Sequence, residues 1–250
     1  MKSFETTHLV LLMATVAFVA LTMFAASKLP RRLQNVLFIV GAVLCAGGIL
    51  WRYGFNMSLS PLHFHADTLL MQMLQVCNFN MILVLLMLVP KFELARQYAI
   101  MFSMFAAATV MLSIPKRFAD DAWYSPDFLN FWLNHVFAIA LPLWMMAARR
   151  LKPQKKYILP VAGCVVAYFL VVYGCTEWLH GIGVLPLSQT FSYVYDPSGV
   201  GLLEWMYGLI SVPCFYLAPL IPPMLGFFWG LVWLTRNYEV RPFFEKKSKE

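Results

Sequence analysis

The sequence predicts an all-α protein, a polytopic transmembrane helical bundle of about seven spans. Two observations carry this. Of 250 residues, 61% are hydrophobic and only 12% charged, where a soluble domain carries about 25% charged residues. Apolar runs of about 20 residues also recur along the chain, the length a helix needs to cross the hydrocarbon core. A third observation, the placement of lysine and arginine between the runs, orients them.

The runs fall at 7–26, 36–53, 68–89, 98–114, 128–148, 157–179 and 204–235. The first follows Lys2 and ends near Ala25-Ala26-Ser27, the outline of a signal peptide. Its apolar stretch is too long for one, and Lys28, Arg31 and Arg32 follow at once, so it reads as a retained span. The last run contains Pro213, Pro219, Pro222 and Pro223. A proline removes an amide donor and kinks a helix, so the run is bent, or the adjacent prolines near its middle divide it in two. Residues 1–250 read as a single transmembrane domain with a short basic cytoplasmic tail, Lys246-Lys247-Ser248-Lys249-Glu250. The sequence contains no internal repeat, phosphate-binding glycine loop or serine elbow motif.

Basic residues gather on alternate sides. Lys28, Arg31 and Arg32 follow the first run, Lys91 and Arg96 the third, and Arg149, Arg150, Lys152, Lys155 and Lys156 the fifth; Arg236, Arg241, Lys246, Lys247 and Lys249 lie at the end. The other side holds Lys2, Arg52, and Lys116 with Arg117, offset by Asp120 and Asp121. The expected location is the cell membrane, multi-pass, with the amino terminus outside and the carboxy terminus cytoplasmic. The net charge of +7 then sits at the cytoplasmic rim, against anionic lipid. Nucleic acid is not an expected partner, because no fold for it remains outside the spans.

Five cysteines stand at positions 45, 77, 164, 175 and 214, without a Cys-x-x-Cys pair and mostly inside spans. They form no disulfide framework. Cys45, Cys164 and Cys214 read as small apolar packing residues. Cys77 is different because of His135. An ionisable group inside a span is expensive and marks chemistry or a pathway. Both residues lie on spans that enter from the outside, near Asp67 and Asp127. Counted along unbroken helices, Cys77 is about 15 Å deep and His135 about 12 Å deep, which agree within about one turn. Gln72, Gln75, Asn78 and Asn80 accompany Cys77, and Asn130 and Asn134 accompany His135. Such amides also join spanning helices by hydrogen bonds.

A thiol paired with imidazole has a direct use. The thiolate is the nucleophile, and burial in apolar surroundings disfavours it. A histidine in contact takes the proton and later returns it to the leaving group. The expected function is an intramembrane lipid acyl-transfer enzyme, an acyltransferase or ester hydrolase, with Cys77 and His135 catalytic. Gln75, Asn80 and Asn134 are candidate substrate-binding residues, because an amide can donate to the oxyanion of a tetrahedral intermediate. Tyr195, in the long outer connection between His180 and Leu203, joins them as part of a lid or rim. The expected partner is a membrane phospholipid or a fatty-acyl ester. The alternative is a non-enzymatic transporter or receptor for a small amphipathic ligand, using the same polar cavity.

Pro61-Leu62-His63-Phe64-His65-Ala66-Asp67 offers a second constellation. Two imidazoles in His-x-His spacing reach one metal, and Asp67 or His180 would complete a zinc site. The simpler reading is outer-loop polarity near the headgroups, and no metal or other cofactor is assigned.

The strings Leu74-Gln75-Val76-Cys77-Asn78, Ser113-Ile114-Pro115, Asn134-His135 with Leu141-Pro142-Leu143, and Tyr193-Val194-Tyr195-Asp196-Pro197-Ser198-Gly199 resemble the YwaF-type integral membrane proteins of bacteria. That family is similar to the transmembrane-protein-164 acyltransferases, and more distantly to the androgen-induced-gene hydrolases of fatty esters. The likeness covers most of the chain from the second span onward. Bacterial members typically read Leu-Pro-Leu-His-Leu-Cys at the first motif. Here the cysteine is kept as Cys77, Gln75 stands for the histidine, and the proline is absent. Pro61-Leu62-His63 echoes the same motif but would put a histidine where the cysteine belongs, so the alignment on Cys77 is preferred. The resemblance implies Cys77 as nucleophile and His135 as base.

Overall fold

Hydrophobic helices of membrane-crossing length build the protein. The computed structural model describes residues 5–50, 70–115, 122–185, 191–195, 197, 199–237 and 239–240. Within them, α1 (Thr6–Lys28) and α2 (Arg31–Ile49) are separated by Leu29 and Pro30. Proline has no amide to continue α1 but suits the start of the next helix. At 23 residues, α1 is about 34 Å long, enough to cross hydrocarbon. Its outer face is apolar: Met13, Val16, Leu21 and Phe24 are each about two-thirds exposed, as suits lipid rather than water.

The inner face of α1 is a stripe at helical spacing, His8, Thr15, Val19, Thr22 and Ala26. It docks on α6 (Pro126–Ala147). Trp132 Nε1 donates to Thr15 Oγ1 at 3.0 Å and Trp144 Nε1 to Thr22 Oγ1 at 2.8 Å. His8, fully buried, donates from Nε2 to the Met111 carbonyl at 2.8 Å. In lipid, where helices gain no hydrophobic drive to associate, such bonds and close packing hold them together. The other side of α6 receives α2 through Gly41 and Gly48.

The third run is where the structure departs from the sequence reading. An unbroken helix over 68–89 was the expectation. Instead the chain leaves helical geometry at 73–75, and α3 (Val76–Leu83) starts afresh, continuing as a 3₁₀ turn over Val84–Leu88. The amide side chains account for the break, since they compete with the backbone for its partners. Asn78 Nδ2 donates to both the backbone and side-chain oxygens of Gln72 at 3.2 Å, and Gln75 Oε1 is engaged by a distant loop. The helical piece 76–88 is only about 22 Å long. Among the described residues six other helices have membrane-crossing length. Depth counted along one continuous helix therefore does not apply to Cys77.

The fourth span combines α4 (Glu93–Tyr98), a π-helical turn (Ala99–Ser103) and α5 (Met104–Leu112). The π turn is the buried centre of the bundle, packed by α3, α6, α7 (Ile158–Gly181) and the last helix. Ser125 caps α6 by accepting from the Phe128 amide at 3.2 Å, and Pro142 lies inside that helix. The last run divides at Ile210–Cys214, before the adjacent prolines, into α8 (Gly201–Leu209) and a 3₁₀ turn (Phe215–Leu220) leading into α9 (Ile221–Leu234). Pro222 and Pro223 lie in the first turn of α9, where a missing amide donor costs little.

In the basic connection after α6, Arg150 is not a solvated loop residue. It is 2% exposed, and its guanidinium donates to Gln34 Oε1 at 3.1 and 3.3 Å. Arg96 pairs with Glu93 at 2.7 Å and donates to the Arg150 carbonyl at 3.2 Å. Gln97 and Gln154 both donate to Glu93 Oε1, at 2.8 and 2.9 Å. Lys2, Arg52, His63, His65, Asp67, Lys116, Arg117, Asp120, Asp121, Asp196, Ser198 and the tail beyond Val240 lie outside the described residues.

Candidate functional site

Where α3 begins, it borders a cavity of about 290 Å³. The walls come from α5, α7, α8 and the 3₁₀ turn leading into α9. Cys77 lies on the wall from the first turn of α3; the other polar or sulfur-bearing residues of the described lining are Thr109, Ser192, Tyr193, Cys214 and Met224. Among the described residues, the lining carries no charged side chain and no histidine. Several of them, Val166, Leu170, Leu202 and Phe215, are also exposed on the apolar outer surface. The cavity therefore communicates with the lipid-facing side of the bundle and suits a hydrocarbon chain.

Two irregular segments shape this cavity. One is the turn 191–195 between α7 and α8; the other is the break ending at Cys214. Ser192, Tyr193 and Cys214 have φ of 49°, 57° and 64°, the left-handed region that non-glycine residues rarely occupy. The segments are tied together: the Cys214 amide donates to the Val194 carbonyl, and the Tyr216 hydroxyl to the Tyr193 carbonyl. The sequence offers no sign of this conformation at Ser192 or Cys214, which is why Cys214 read as packing alone.

His135 is on α6, which packs against α3. It is 4% exposed and lies 2.6 Å from the Phe131 carbonyl through Nδ1. A carbonyl only accepts, so Nδ1 carries the proton and Nε2 is the basic nitrogen of the neutral ring. The Phe131 ring lies against it with centroids 4.5 Å apart. Among the described residues, α6 contributes none to the cavity lining.

The four candidate substrate-binding residues go to different places. Gln75 does not project into the cavity; its Oε1 accepts from the Ser192 amide at 3.0 Å. Asn134 donates to Asn130 Oδ1 at 3.1 Å and fits against Gly48, so it joins α6 to α2. Asn80 is 3% exposed, and its Oδ1 has no hydrogen-bond partner among the described residues. Tyr195 stacks on Tyr173 at 5.1 Å and meets His180 edge-on at 5.6 Å. From that turn it is Tyr193, two residues earlier, that lines the cavity.

Further polar groups surround Cys77. The Tyr168 hydroxyl donates to the Met73 carbonyl at 3.0 Å. Tyr98 and Ser103, at either end of the π turn, are buried, and their hydroxyls have no hydrogen-bond partner among the described residues. π turns are frequent at functional sites, and this one cannot be read from Ala99-Ile100-Met101-Phe102-Ser103.

Fold and site together define a polytopic helical membrane protein with an apolar internal cavity. The chain matches the model of the TMEM164 family over residues 3–219 and belongs to that family. Neither the curated proteins nor the solved structures contain a match to it.

Proposed function

We propose that this protein is an intramembrane lipid acyl-transfer enzyme in which Cys77 is the nucleophile and His135 the base. The observation that carries the reading is the placement of a thiol on the wall of an uncharged cavity open toward lipid. Membership of the TMEM164 family and the resemblance to YwaF-type proteins and transmembrane-protein-164 acyltransferases support it. A fatty-acyl chain fits such a cavity, while a charged headgroup meets no counter-charge among the described lining residues. The packing of α3 on α6 supports the pairing of Cys77 with His135.

The chemistry balances as follows. Nε2 of His135 takes the Cys77 proton, and the thiolate adds to the ester carbonyl carbon. The tetrahedral intermediate expels the alkoxide, which takes the proton back from the imidazolium, leaving a thioester on Cys77. A hydroxyl acceptor gives its proton to His135 and attacks the thioester, which forms a new ester and restores the thiol. With water as acceptor the product is a fatty acid. Cys77 is the second residue of α3, and the positive end of a helix favours both a thiolate and a developing oxyanion.

The protein is proposed to act in the cell membrane with its amino terminus outside and its carboxy terminus cytoplasmic. The test is turnover: purified protein in phospholipid vesicles, with acyl release or transfer followed by mass spectrometry. Wild type is expected to turn lipid over and Cys77→Ala to be inactive. Binding of a fatty-acyl ester without turnover would favour a carrier instead.

A further inference from the structure

We infer that Ser192 is a positioning residue for Cys77: it caps α3 from outside the helix and fixes the first turn of α3 against the cavity. The inference rests on the acyl-transfer reading above. The amides that open a helix need acceptors from somewhere. Gln75, at the N-cap of α3, gives its own helix no side-chain bond. The acceptor comes from far along the chain: Ser192 Oγ receives the Val76 amide at 2.8 Å. The same hydroxyl donates to the Leu74 carbonyl, and the Ser192 amide donates to Gln75 Oε1 at 3.0 Å. One residue thus holds positions 74, 75 and 76, the three that lead into Cys77. Tyr168 holds Met73 beside them.

Ser192 is held in turn. It is 2% exposed, with φ of 49°, and its turn is tied to the break at Cys214 by the Val194 and Tyr193 carbonyls. Among the described residues four non-glycines have positive φ, and three of them, Ser192, Tyr193 and Cys214, line the cavity with Cys77. Strained backbone persists where the surroundings over-determine it, and it gathers at sites that need a fixed geometry. A nucleophile has that need, because small misplacements of the attacking atom cost rate. The clasp sets where the Cys77 sulfur stands relative to a chain in the cavity.

The experiment compares two thiol reagents on the full chain in phospholipid vesicles: chloroacetamide, and chloroacetamide carrying a long alkyl chain. Labelling of Cys77 is read by peptide mass spectrometry, and the quantity of interest is the ratio of the two rates. Wild type is expected to prefer the alkyl reagent. Ser192→Gly removes the hydroxyl while relaxing the left-handed backbone, and should lower that preference about fivefold, the factor of one lost helix cap. Ser192→Asn, which tolerates the left-handed region and offers an oxygen to the same amide, should restore it to within about twofold. Gln75→Met removes the acceptor of the Ser192 amide and should act like Ser192→Gly; it takes that variant's place where Ser192→Gly does not fold. General loosening raises both rates together and leaves the ratio alone. An unchanged ratio in Ser192→Gly and Gln75→Met, against a clear wild-type preference, overturns the role of Ser192 and leaves the acyl-transfer reading standing. Absence of any preference in wild type overturns both.

Discussion

Gly48 on α2 lies so close to Asn134 on α6 that a Cβ at position 48 would stand 2.9 Å from the Asn134 side-chain oxygen. The Asn130 side-chain oxygen would be 3.2 Å away. The two asparagines are themselves bonded at 3.1 Å. Glycine here lets two backbones approach and lets an amide pair sit between them.

Gly48→Ala should therefore push the Asn134 amide off its bond to Asn130 and cost about 1 kcal/mol, and Gly48→Leu about 3 kcal/mol. The cost of Gly48→Ala should shrink in an Asn134→Ala background, since residues in contact do not act additively. Thermal unfolding in detergent micelles, run on the four members of the cycle, reads this directly. Additive costs would mean that the two side chains do not meet.

The adjacent arginines that follow α6 should behave oppositely. Arg150 is buried, with Gln34 Oε1 as an acceptor. Arg150→Ala leaves that amide oxygen without its donor and should cost about 3 kcal/mol. Arg150→Lys should not recover the loss, because an ammonium lacks the guanidinium fork. Arg149 is exposed with φ of 57°. Arg149→Gly removes left-handed strain and should be neutral or stabilising by up to about 1 kcal/mol. Unfolding midpoints of the three variants test the contrast.

The contrast also shows what a sequence can reveal here. Runs of apolar residues locate the helices because length and hydropathy alone decide crossing. Position 150 reads as one more loop arginine, because nothing local says that it turns inward to Gln34. The break at 73–75 was foreshadowed by Gln72, Gln75 and Asn78, a polar stripe too wide for one small site. Its cause was not legible: the partner of Gln75 is Ser192, in a turn whose left-handed backbone has no glycine to announce it. The cavity is built from six separated segments, so only Cys77 could be singled out in advance. The adjacency of α3 and α6 likewise required the folded chain.

Topology depends on the short helix. The six helices of crossing length among the described residues would by themselves leave both ends of the chain on one side. The orientation proposed from the basic residues has them on opposite sides, and it needs the segment containing 76–88 to cross as well. A tag after Glu250 should be protected from an external protease in intact cells, and a tag before Met1 should be cleaved. Both tags on one side would make the segment re-entrant and remove the charge-based orientation.

The last prediction separates an enzyme from a carrier. If Cys77 attacks an ester, its thiol chemistry is required and not merely its volume. Cys77→Ser is nearly isosteric but presents a much weaker nucleophile, so acyl turnover in vesicles should fall by about two orders of magnitude or more. His135→Ala should cost a similar factor, because the thiol then has no group to take its proton. Residues that act as one unit are not additive, so the double variant should be little worse than either single one. His135→Gln offers a useful contrast: its amide can bond in the imidazole's place but cannot take the proton, so turnover should stay low while the fold survives. Cys164→Ala, outside the cavity lining, should leave turnover within about twofold of wild type. Multiplicative losses from Cys77→Ser and His135→Ala would mean that the two side chains act independently, and full activity in Cys77→Ser would leave the nucleophile role without support.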